Sequence, residues 1–139
     1  MNIMKLIVPK SMTSFLEEDC TLRQGLEKMR YHGYTAIPVL NSEGEYVGTL
    51  SEGDFLWSMV DRDDFSMRAQ EDVRISEILK PDALPPLRID AGMAQIVMDI
   101  MERNFAPVVD DRNKFVGIVT RRDVLRYLSD SYFRVNDTL

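Results

Sequence analysis

Two stretches of the chain pass through the same succession of apolar spacings. Leu22, Leu26 and Met29 recur at intervals that place them on one face of a helix, and so do Met93, Ile96, Val97, Ile100 and Met101. Each helical run is followed by a short apolar run, a cluster of turn formers and a second short apolar run. "AIPVL" and "YVGTL" flank Asn41-Ser42-Glu43-Gly44, while "APVV" and "FVGIV" flank Asp110-Asp111-Arg112-Asn113. These combinations predict β-hairpins. A further helical run follows each hairpin, so each half reads strand, helix, strand, strand, helix.

The halves are copies of one phrase. With Pro38 set against Pro107, "YTAIPVLNSEGEYVGTLSEGD" and "RNFAPVVDDRNKFVGIVTRRD" align without a gap through Asp54 and Asp123. The stretch from Asp19 to Pro38 is two residues longer than that from Asp90 to Pro107, which predicts a clipped helix end before Asn104. The expected organisation is a first repeat over 8–60, a charged, solvated connector over 61–74, a second repeat over 75–129 and a polar tail over 130–139. The fold class is α+β, with two pseudo-symmetric β-α-β-β-α repeats.

Composition removes several functions. A chain of 139 residues, 45% hydrophobic, buries one respectable core. A formal charge of -6 leaves no basic face of the kind that displaces counterions from nucleic acid. Cys20 and His32 are the sole cysteine and histidine, so neither a disulfide nor a spaced His/Cys zinc set is available. The first ten residues lack the features of a signal peptide, and no apolar run reaches membrane-spanning length. The expectation is a cytoplasmic protein associated with neither nucleic acid nor membrane. Asp61, Asp63 and Asp64 lack the glycine turn and ligand spacing of a calcium loop, no Walker glycine loop is present, and no base-nucleophile pair stands out. The chain reads as a binding protein without chemistry of its own.

Ser51-x-x-Asp54 and Thr120-x-x-Asp123, each opening a helix, match a capping box. Capping does not exclude binding, because a helix N-terminus also receives phosphate and a carboxylate one turn in accepts two hydrogen bonds from a ribose diol. The two phrases differ in charge. Arg121-Arg122 offers donor forks matched to phosphate oxygens, whereas Glu52-Gly53 places an anion at the equivalent position.

The ordered set Asp19-Cys20-Thr21-Leu22, Gly25-Leu26, Met29, "AIPVLN" and "GTLSEGD", repeated as Asp90-Ala91, Met93, "APVVDD" and "GIVTRRD", resembles a tandem pair of CBS domains, the cystathionine beta-synthase module. The resemblance spans roughly Val8 to Leu128. "GYTAIPVL" followed late by "TRR" is further similar to the small stand-alone CBS proteins of Gram-positive bacteria that bind cyclic di-AMP. The resemblance implies two repeats packed through their sheets, with adenosine ligands in clefts between them. Carried onto this sequence, the main cleft comprises Thr13, Ser14, Phe15, Tyr34, Thr35, Ala36, Thr120, Arg121, Arg122 and Asp123. A weaker second cleft comprises Ser51, Asp54, Ala83, Asn104, Phe105 and Ala106. No cofactor is implied. The ligand is a regulatory adenine nucleotide, cyclic di-AMP or AMP, ADP or ATP, whose binding acts through an unidentified effector protein. The helices after the Asp motifs carry Phe55, Leu56, Trp57, Met59, Val124, Leu125, Tyr127 and Leu128, more apolar groups than one buried stripe each requires, so a homodimer is expected. The alternative is a CBS scaffold for oligomerisation whose clefts stay empty.

Overall fold

The computed structural model describes residues 3–81 and 84–137, the side chains of 134–137 excepted. It is a mixed α+β structure with two sheets and six α-helices, divided into two compact units. One unit is formed by Ser14–Pro85 and the other by Met1–Thr13 together with Pro86–Leu139.

In the Ser14–Pro85 unit, β2 (Leu16–Glu17) leads to α1 (Leu22–His32), then to the hairpin β3 (Ala36–Leu40) and β4 (Tyr46–Ser51), then to α2 (Glu52–Arg62). The sheet order is β2-β3-β4, with β2 parallel to β3 and β4 antiparallel to it. The other unit repeats the theme with β5 (Leu87–Arg88), α5 (Met93–Ile100), β6 (Phe105–Val109), β7 (Phe115–Thr120) and α6 (Arg121–Asp137). Its sheet has the order β1-β7-β6-β5, β1 being Val8–Pro9. The hairpin registers correspond residue for residue: Ala36 faces Ser51 as Phe105 faces Thr120, and Val39 faces Gly48 as Val108 faces Gly117.

The burial pattern is the same in the two hairpins. Strands β3 and β6 are buried at four consecutive residues, whereas β4 and β7 alternate, turning Tyr46, Gly48 and Leu50, and Phe115, Gly117 and Val119, inward. Leu16, Leu22, Met29, Ile37, Leu50, Phe55 and Ile75 form one core, and Leu6, Leu87, Ile96, Ile100, Val108, Val119 and Val124 the other. The hairpin turns are closed alike. Asn41 Oδ1 accepts from the N–H groups of Glu43 and Glu45 at 3.0 and 2.9 Å, and Asp110 Oδ1 from those of Arg112 and Lys114 at 2.9 Å each.

The repeated Val-Gly pair has a structural reason. Both ladders shift register opposite it, between Val39 and Leu40 and between Val108 and Val109. A Cβ on Gly117 would stand 2.2 Å from the carbonyl oxygen of Val8, so glycine lets β1 lie against β7. Val8, expected at the start of the first repeat, therefore belongs to the sheet of the second. Its strand covers the β7 edge, which otherwise presents unpaired backbone groups.

The charged region 61–74 is largely exposed and contains a short helix. Ser66 caps α3 (Met67–Asp72), Val73 is buried, and the segment beyond α3 docks on the approach to α1. Leu22 N–H donates to Val73 O at 2.9 Å, Ile75 N–H to Cys20 O at 2.8 Å and Ser76 N–H to Glu18 O at 2.8 Å. A four-residue helix, α4 (Ile75–Ile78), follows and adds Ile75 and Ile78 to the core. At the other end, α6 runs on to Asp137, because the polar residues after Leu128 include no glycine or proline to stop it.

Candidate functional site

The two phrases at the starts of α2 and α6 differ in how they use their own groups. At the first, Ser51 Oγ accepts from Asp54 N–H at 3.2 Å, and Asp54 Oδ2 accepts from Ser51 N–H at 2.8 Å and from Ser51 Oγ at 3.1 Å. The capping box is closed and the Asp54 carboxylate is occupied by it. At the second, Thr120 Oγ1 accepts from Asp123 N–H at 3.1 Å, but among the described residues the Asp123 carboxylate has no hydrogen-bond partner. Asp123 is half-buried, and Arg122 beside it is exposed.

Each phrase is tied to the strand entrance before it. Glu52 N–H donates to Thr35 O at 2.9 Å, and Arg121 N–H to Asn104 O at 2.8 Å. Asn104 is thus the counterpart of Thr35, and Phe105 that of Ala36. Arg121 goes further: its Nε donates to Ile100 O, 2.7 Å away, at the end of α5. The sequence pattern offers both arginines as anion ligands, but one of them already has a backbone partner. That partner lies one helix upstream, where no local motif points to it.

The CBS-domain model matches residues 8–61 and 82–130. The chain belongs to the CBS-domain family. An uncharacterized protein of Methanocaldococcus jannaschii is 30% identical over 117 residues, covering 78% of this chain and 41% of that protein. The cyclic di-AMP receptor B of Bacillus subtilis is 28% identical over 97 residues, which are 70% of this chain and 65% of the receptor. Among solved structures, that of CbpB in complex with c-di-AMP superposes with a TM-score of 0.91 at 21% identity, covering 100% of this chain and 91% of that one, and so shares its fold. The chain spans about half the length, or less, of the first two curated relatives, 49% and 41%.

The remaining CBS positions singled out by sequence are distributed between the units. Thr13, Asn104, Phe105, Ala106 and Thr120–Asp123 lie in one; Ser14, Phe15, Tyr34, Thr35, Ala36, Ser51 and Asp54 lie in the other. Ala83 lies outside the described residues. Thr13 spends its hydroxyl on its own turn, donating toward Pro9 O at 2.9 Å and Val8 O at 3.2 Å. Lys28 covers Phe15, with Nζ 5.3 Å from the ring centroid and 2.6 Å from the Phe15 carbonyl oxygen to which it donates. Tyr34 is exposed and stacks on His32 with ring centroids 5.3 Å apart. Ala106 has no exposed surface and belongs to the core, since the inward run of β6 begins there.

The Ser14–Pro85 unit also has a surface cavity of about 400 Å³ that the sequence did not indicate. Leu26, Met29, Phe55, Leu56 and Met59 form most of its lining, with Arg30, Tyr34 and Glu52 supplying the polar groups. Cys20 stands apart from both phrases, and its thiol is pushed above its ordinary range first by burial and then by the neighbouring Asp19 carboxylate. Such a thiol is a poor nucleophile. Among the described residues no helix is long and apolar enough to cross a membrane.

Proposed function

We propose that this CBS pair is a regulatory sensor for an adenine nucleotide, cyclic di-AMP or AMP, ADP or ATP, that acts in the cytoplasm through a partner protein. The observation that carries the reading is the open second phrase: an Asp123 carboxylate with no hydrogen-bond partner among the described residues, beside an exposed Arg122 at the start of α6. A carboxylate accepts both hydrogens of a ribose diol, a guanidinium fork fits phosphate oxygens, and a helix N-terminus favours the anion. The similarity to the cyclic di-AMP receptor of B. subtilis supports a nucleotide of this class. The residues proposed to bind are Thr120, Arg122 and Asp123 in one unit and Ser14, Phe15, Tyr34, Thr35 and Ala36 in the other, to be tested set by set.

The closed first phrase favours a second reading for its own half. With Asp54 engaged by Ser51 and Glu52 repelling phosphate, this half serves as scaffold. Calorimetry and thermal unfolding with cyclic di-AMP, AMP, ADP, ATP and guanine nucleotides separate the readings. A nucleotide held at one hundred times its dissociation constant adds about 2.7 kcal/mol of stability. A response confined to adenine nucleotides supports the sensor, whereas no response to any of them leaves the scaffold.

A further inference from the structure

We infer that Arg121 is a positioning residue, which clamps the turn between α5 and β6, and that contact with a ligand's phosphate falls to Arg122 alone. The inference rests on the nucleotide reading above and assigns its two arginines different tasks. It begins from the way the paired helices end. In the first repeat, α1 runs to His32 and closes on Gly33 at φ 69°, with the N–H groups of Gly33 and Tyr34 donating to Arg30 O and Met29 O at 3.3 and 3.0 Å. Glycine adopts this left-handed conformation at little cost, and the closure satisfies the last helical carbonyls.

The second repeat has no glycine there. The residues after Ile100 are Met101-Glu102-Arg103-Asn104, and α5 stops after 8 residues where α1 has 11. Met101 N–H and Glu102 N–H donate to Val97 O and Asp99 O at 3.2 and 3.0 Å, which leaves Ile100 O to another donor. Arg121 Nε supplies one to Ile100 O at 2.7 Å, while Arg121 N–H donates to Asn104 O at 2.8 Å, so a single residue holds both ends of the turn. Arg103 secures its middle through a largely buried, two-pronged pair with Asp99, at 2.6 and 2.8 Å. The corresponding residues of the first repeat are Tyr34 and Glu52; Glu52 N–H makes the matching bond to Thr35 O, but its side chain has no helix end to hold because Gly33 has already closed α1. The exchange of Glu52 for Arg121 is thereby accounted for by helix termination. Arg122, exposed and without an ion-pair partner among the described residues, is the cation left for an anion.

The test compares Arg121→Met, which keeps the apolar stem but removes the donors, with Arg122→Gln. Calorimetry with adenosine, AMP and cyclic di-AMP is combined with amide exchange of the ligand-free proteins. Arg121→Met is expected to weaken adenosine and AMP by the same factor, to leave the salt dependence of AMP affinity as in the parent, and to speed exchange over residues 101–104 and at position 121. Arg122→Gln is expected to weaken AMP on the order of tenfold, the scale of one charge-assisted hydrogen bond, while sparing adenosine and flattening the salt dependence. Arg121→Lys, which retains a donor, should return exchange toward the parent level and serves where Arg121→Met folds poorly. Selective loss of AMP in Arg121→Met, or unchanged exchange over 101–104, overturns the assignment. If the parent protein binds none of the three compounds, the nucleotide reading and the role of Arg122 fail together, whereas faster exchange in Arg121→Met would still uphold the clamp.

Discussion

Replacing the two phrase aspartates by alanine should produce opposite effects on folding and binding. Asp54→Ala removes the acceptor of two hydrogen bonds, from Ser51 N–H at 2.8 Å and Ser51 Oγ at 3.1 Å, and takes a negative charge from the first turn of α2. Losing that half of the capping box costs about 1–2 kcal/mol, and losing the charge at the helix start about 0.3–1 kcal/mol. Asp123→Ala keeps the bond from its own N–H to Thr120 Oγ1, so only the helix-dipole contribution of about 0.3–1 kcal/mol is lost from folding. Binding should run the other way. Without the Asp123 carboxylate a ribose loses charge-assisted hydrogen bonds worth about 1.5–3 kcal/mol, roughly a ten- to hundredfold loss of affinity, while Asp54→Ala should change affinity less than about twofold. Urea denaturation read by circular dichroism measures the first ordering, and calorimetry with AMP and cyclic di-AMP the second. Equal destabilisation by the two substitutions, or a greater loss of affinity from Asp54→Ala, would refute the distinction between a closed and an open phrase.

Gly117→Ala should destabilise by about 3 kcal/mol and Gly48→Ala by about half as much, because the new methyl meets the Val8 backbone in the first case and the movable tip of Leu79, at 2.8 Å, in the second; equal costs in urea denaturation would count against this. The Asp110 carboxyl is held below its ordinary range by hydrogen bonds from the N–H groups of Arg112 and Lys114. Its contribution is complete above the usual aspartate value of about 3.9 and disappears as pH falls through the lower folded value, so Asp110→Asn, which copies Asn41, should flatten the acid limb of stability and leave neutral pH little changed. Cys20 should react with a disulfide reagent at pH 8 more slowly than an unhindered thiol, and denaturant should restore the rate, since burial raises its value and favours the protonated form. The exposed Leu56, Trp57 and Val60 on α2 should bury their surfaces in a homodimer; Trp57→Glu should shift the sedimentation coefficient to that of a monomer, and a parent protein sedimenting only as monomer at micromolar concentration would exclude it.

The hairpins, the paired helices and the shorter second helix were legible because they depend on local chemistry. Asn41 and Asp110 close their turns through their own neighbours, and the Pro38–Pro107 alignment carries the register of one sheet onto the other. The fold class and the family followed from the same repetition. The placement of Val8 and Pro9 was not legible, since a two-residue strand has no period and its partner lies more than a hundred positions away. The docking of Val73 and Ile75, whose backbones bond to Leu22 and Cys20, was hidden by the charged residues around it. The candidate residues were chosen by type, and their hydrogen-bond engagement was hidden. Nothing local distinguishes the occupied carboxylate of Asp54 from that of Asp123, or sends the Arg121 side chain to Ile100.

That last pair of differences shows how a duplicated fold divides its labour. Both helices α2 and α6 need a hydroxyl at the start, and Ser51 and Thr120 provide it. Everything beyond the hydroxyl is open to change, provided the preceding helix is closed by some means. Where Gly33 closes α1, the side chain at position 52 is not needed to close it, and Asp54 completes the cap of its own helix. Where α5 lacks a glycine, position 121 must donate, and an arginine placed there keeps its neighbourhood cationic while the Asp123 carboxylate stays out of the cap. One missing glycine thus accounts for the Arg121 side chain at the end of α5 and leaves Arg122 exposed, without an ion-pair partner among the described residues.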